Sequence, residues 1–175
     1  MSKDLFKKDI TVCWPEKYEP IVEFLKSGTH GAKADALFKL NVEVVVLAAC
    51  IGLLTNTKCS VGDRRKEIAL STFNGHSLSS YLFLIPLMAI EEIDLSLMRN
   101  EEGEQRAISI FQEYAAGGLQ YLTEEYEHSG LKTPFAFVRE LNDKIKANAS
   151  NDGHTKSQQT ANVIDLELNL FGAIE

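Results

Sequence analysis

The stretch Lys58 to Lys66, KCSVGDRRK, gathers Lys58, Arg64, Arg65 and Lys66 around a single acid, Asp63. Side chains of this kind suit phosphate, because a guanidinium offers a planar fork of donors and an ammonium a compact charge. Neutralising about three phosphates supports only weak, salt-sensitive binding. A DNA contact made here would therefore need dimerisation or a larger complex. The plainer reading is a solvated surface that neutralises the chain's own acids. Those acids are dense between Glu91 and Glu127, where ten stand against two bases, Arg99 and Arg106. A formal net charge of -7 for the whole chain argues against generic coating of nucleic acid.

No other group of residues assembles a reactive centre. Cys13, Cys50 and Cys59 are odd in number and widely spaced, without a C-x-x-C pair, so neither a disulfide framework nor a zinc site is expected. A reducing cytoplasm fits that usage. Cys50 lies in an apolar run, where a thiol is inert. Cys59 follows Lys58 and precedes Arg64, a setting that lowers a thiol pKa, yet no base or oxyanion donor accompanies it. His30, His76, His128 and His154 are isolated and read as surface or capping residues. The pairs Glu91-Glu92 and Glu124-Glu125 are helix neighbours, which point about 100° apart and do not converge on one substrate. The expectation is no enzyme, no cofactor and no metal.

The segment QEYAAGGLQYLTEEY, Gln112 to Tyr126, carries adjacent glycines inside an amphipathic helical pattern. Each costs about 1 kcal/mol relative to alanine in a helix. Ile108, Phe111, Ala115, Gly118, Leu119 and Leu122 step by three and four, so Gly118 falls on the buried stripe. Ala115, Ala116, Gly117 and Gly118 make a flat patch bracketed by Tyr114 and Tyr121. Such a patch admits another helix backbone at close range. The visitor is either the long apolar helix of the same chain or a second copy in a homodimer. No G-x-G-x-x-G fingerprint accompanies the glycines, so a phosphate loop is not indicated.

These residues need a frame. With 175 residues, 45% hydrophobic and 25% charged, the chain fits one globular domain with a sizeable core. Tyr18, Ile21, Val22 and Leu25 predict a first helix closed by Gly28. The run HGAKADALFKLNVEVVVLAACIGLLTN favours strand by its valines and helix by its length, and length decides for a central helix. TKCSVGDRRKEIALSTFNGHS reads as a loop. A helix follows with Ser77 as its cap and a bend at Pro86, then one from Glu101 to Gly130, then one from Thr133-Pro134. The sum is an all-α bundle of about five helices over residues 1–148, a polar linker at 149–160 and a tail at 161–175.

In the tail, Ile164, Leu166, Leu168 and Leu170 alternate with Asp165, Glu167 and Asn169, the period of a half-buried strand. It either folds onto its own core or adds to a partner chain. The apolar runs Val44 to Leu54 and Tyr81 to Ile90 are short of the ~20 residues that span a bilayer. The N-terminal lysines lack an apolar stretch behind them, so neither membrane nor secretion is expected.

Three segments in order, LAACIGLL, GDRR and QEYAAGGLQYL, resemble the pattern of a bacterial family, the Dnd system-associated protein 4 family, over about Tyr18 to Tyr126. Ala116 stands where that pattern tends to have asparagine. The resemblance implies a place beside DNA phosphorothioation genes, in defence against foreign DNA. It implies other defence-system proteins as partners and no particular reaction, and it draws attention to Arg64 and Arg65.

Overall fold

A computed structural model describes residues 10–27, 36–90, 97 and 99–151. In chain order the elements are β1 (Thr11–Pro15), a 3-10 turn (Glu16–Tyr18), α1 (Glu19–Ser27), α2 (Asn41–Leu54), β2 (Arg65–Ala69), α3 (Leu70–Gly75), α4 (Tyr81–Ala89), α5 (Glu101–Ser129) and α6 (Pro134–Asn151).

Helix α2 is the buried axis. Its run of valines would suit a strand locally, but Val42, Val44, Val45, Val46, Leu47 and Ala48 are all at most 1% exposed. A segment covered on every side must satisfy its own backbone groups, and a helix does so without a neighbouring strand. Its first turn is closed by Glu43, whose carboxylate accepts from the amides of Lys39 (2.8 Å) and Leu40 (2.9 Å).

The 29-residue α5 crosses α2 and touches most of the other elements. Asn100 caps it by accepting from the Gly103 amide at 2.8 Å, and Gly130 ends it at φ 64°, a left-handed turn that glycine adopts without a Cβ penalty. Phe73 meets Phe111 edge-on with ring centroids 6.1 Å apart. Phe137 on α6 meets Phe24 and Tyr126 in the same manner.

The fold is mostly helical, but not all-α as the pattern predicts. The stretch around Trp14-Pro15, ahead of the first predicted helix, is β1, and the predicted loop at 57–77 contains β2 and α3. The strands pair antiparallel, Thr11 with Ala69 through Pro15 with Arg65. Six helices stand among the described residues where about five are expected, because the short α3 is added. Periodicity misses the strands because β1 is buried at four consecutive positions and so shows no alternation. Ser77 is not a cap: it sits at φ 59° in the turn before α4. Helix α6 continues into the first residues of the expected linker, to Asn151; the rest of the linker and the tail at 161–175 lie outside the described residues.

Candidate functional site

The adjacent glycines of α5 open two different faces, since consecutive helical positions point about 100° apart. Gly118 faces α2. A Cβ there would lie 1.7 Å from the Ala48 carbonyl oxygen, and one on Gly52 of α2 would lie 2.1 Å from that of Tyr114. The two helices cross with backbone against backbone. Gly117 faces the chain that leaves α2: a Cβ on it would lie 2.0 Å from the Thr57 oxygen and 3.0 Å from the Lys58 nitrogen.

That departing chain is the basic segment, and it is strapped to α5 by its backbone. Thr57 donates from its amide to the Gly52 carbonyl at 2.8 Å, with Asn56 in the left-handed region at φ 50° to make the turn. The Cys59 amide donates to the Glu113 carbonyl at 3.0 Å. Its thiol donates to Gln120 Oε1 at 2.8 Å, which also accepts from the Tyr18 hydroxyl at 3.4 Å. Gln120 in turn donates from Nε2 to Glu124 at 2.8 Å. Cys59 is thus a tether in a polar network.

The strap then returns as β2. Arg64 accepts from the Glu16 amide at 3.1 Å through its carbonyl, and its side chain and that of Arg65 are exposed. Lys66 is ion-paired with Glu19 and sits 6.0 Å from the Trp14 ring centroid. Lys58 lies exposed, 4.7 Å above the Tyr114 ring. Of the four predicted basic residues, Lys66 is therefore half-committed within the fold, while Lys58, Arg64 and Arg65 face water. Arg65 and Lys66 stand on a strand, where neighbours alternate sides, so the cluster does not converge as a loop would allow.

The predicted patch is interior. Tyr114, Ala115, Ala116, Gly117 and Gly118 are buried, and Tyr121 is half-buried beside them. Burial pushes the Tyr121 hydroxyl pKa up, with the Glu125 carboxylate adding to the effect. The Cys13 thiol is raised first by burial, which outweighs the nearby Arg65.

His128 caps α5 from its last turn by donating from Nδ1 to the Glu124 carbonyl at 2.5 Å, and His76 is exposed in the turn after α3. Sequence reading misses Gly52, Gln112 and Gln120. Gly52 stands in plain view inside the apolar run, whereas the glutamines bear no pattern that marks their role. Gln112 accepts from the Cys13 amide at 2.6 Å and so clips β1 to α5.

Among the described residues no three His, Cys, Asp or Glu side chains stand where they would hold a metal ion. The shallow groove between α5 and α6 beside Glu125, Phe137 and Lys144 encloses no room for a water molecule, whereas ligand pockets begin at ~300 Å³. No described helix is long and apolar enough to cross a membrane.

The family described as DNA sulphur modification system-associated protein 4 matches residues 14–160. The chain belongs to this family. The matched span runs from Trp14 in β1 past the end of α6, so it takes in the glycine crossing and the whole basic strap. No curated protein and no solved structure matches the chain. Membership of the DNA sulphur modification system-associated protein 4 family associates this fold with a DNA sulphur-modification system.

Proposed function

We propose that the chain is a non-enzymatic accessory protein of a bacterial DNA sulphur-modification system, working in the cytoplasm through contacts with other proteins of that system. The observation that carries this reading is the double use of Gly117 and Gly118. Gly118 lets α2 lie directly against α5, and Gly117 lets the charged strap lie directly against the same helix. Acidic α5 and the basic strap give a partner two surfaces of opposite sign side by side, which favours oriented association. Co-purification from the native cell tests the proposal: proteins of the sulphur-modification system should accompany the wild-type chain. Their absence, or a divalent-metal-dependent cleavage of DNA by the purified chain, would overturn it.

A second reading, a DNA-binding regulator, is favoured by the exposure of Lys58, Arg64 and Arg65 on one strap. Dimerisation through the small-residue patch does not serve this reading, since α2 already occupies it. Duplex-DNA binding at low and moderate salt, compared with the Arg64→Ala/Arg65→Ala protein, separates the two. Binding that is absent, or unchanged by the substitutions, removes the regulator.

A further inference from the structure

Among the described residues, the two-stranded ribbon has one sealed edge and one open edge. In an antiparallel pair a residue's N–H and C=O point to the same side, and successive residues alternate. Glu16 donates to Arg64 and Leu70 donates to Ile10, which places the inward bonds at Val12 with Ile68 and Trp14 with Lys66. The Cys13 amide points outward, and Gln112 takes it. By the same alternation the amides of Arg65, Glu67 and Ala69 point away from β1, and among the described residues no hydrogen-bond partner meets them. An isolated two-stranded ribbon is marginal in water, and an unpaired edge is a template for a further strand.

We propose that the chain's own tail, residues 163–170, pairs with this edge of β2 as a third strand. Its period of two matches the ribbon: Ile164, Leu166, Leu168 and Leu170 would continue the face of Val12, Trp14 and Ile68, which are all buried. Asp165 and Glu167 would fall on the solvent face with Arg65. The charges are complementary, since residues 161–175 hold three acids and no base whereas Arg64 to Ala69 hold three bases and one acid. The reach is ample. Beyond Asn151 lie 24 residues, and the eleven before the pairing segment alone extend to roughly 35 Å.

Amide hydrogen exchange on the full-length chain tests this residue by residue. Arg65, Glu67 and Ala69 should exchange at least tenfold more slowly in the wild type than in the Leu166→Asp/Leu168→Asp variant, whose carboxylates would have to enter the buried face. Lys66 and Ile68, bonded to β1, should shift less than twofold and serve as internal controls. Equal rates for the outward amides in both proteins would overturn the proposal. So would protection that fades on dilution, because the strand would then come from a second copy. If the substitutions unsettle the ribbon itself, nuclear Overhauser contacts between the Leu166 or Leu168 α-protons and the Glu67 amide in the wild type decide the matter: their presence upholds the pairing and their absence refutes it.

Discussion

The α2–α5 crossing and the β1–β2 ribbon both bring backbone against backbone, by opposite means. At the crossing, every peptide group is already satisfied inside its own helix, and contact requires only that side chains be removed, at Gly52 and Gly118. At the ribbon, the peptide groups need one another, and among the described residues one row of them on β2 meets no partner. The first arrangement fixes distance and tolerates no added atom. The second fixes direction and leaves room for addition. The molecule thus has a close helix crossing in its interior and a two-stranded ribbon on its side, joined by the strap that runs from Thr57 to Arg65.

The largest effect should come from Gly118→Ala. Alanine gains about 1 kcal/mol of helix propensity, but its Cβ would stand 1.7 Å from the Ala48 carbonyl oxygen. Overpacking against backbone, which cannot rotate away, costs about 3 kcal/mol or more. Urea unfolding should show a net loss of at least about 2 kcal/mol from these opposed terms. A loss below about 0.5 kcal/mol would mean that the crossing is looser than described. Gly118→Leu, measured for mass in solution, should lower stability without changing oligomeric state.

Gln112→Leu strikes the ribbon. It leaves the Cys13 amide without its acceptor, a loss of about 1–3 kcal/mol, and exchange of that amide should accelerate while α2 amides remain protected. Equal acceleration in α2 would show that ribbon and crossing are one cooperative unit. Gly117→Ala should have a smaller effect, about 1–2 kcal/mol, because the strap can lift where a helix cannot. Its mark should be a changed Cys59 amide resonance with Ala48 and Gly52 undisturbed.

The smallest effect is in pH. The folded Cys13 thiol is held above its ordinary value of 9.0 by burial, so above that pH the unfolded chain gives up its proton first. Stability then falls as pH rises. Alkaline unfolding of Cys13→Ala should be shallower than that of the wild type, and the two should run parallel below pH 9.0.

The parts of this comparison differ in how far the sequence reveals them. Helix α5 is legible because the acids from Glu101 and then Gly130 mark its two ends, and α2 because its length excludes a strand. The ribbon is not: β1 is five residues long, buried almost throughout, and paired with a segment fifty or more residues away. Periodicity also groups Gly117 with Gly118 as one flat patch. Only the path of the chain after Leu54 separates them, and that path depends on a left-handed Asn56 and a turn that no spacing announces. The exposure of Arg64 and Arg65 agrees with their charge, whereas the ion pair that engages Lys66 depends on Glu19, 47 residues distant.

Trp14 is the chain's only tryptophan, and at 1% exposure it sits on the buried face of the ribbon beside Lys66. Indole fluorescence therefore reports on the buried face of the ribbon, while the glycine crossing holds no indole. A blue-shifted emission that reddens before helical circular dichroism is lost would reveal the ribbon detaching from a helical body that is still folded.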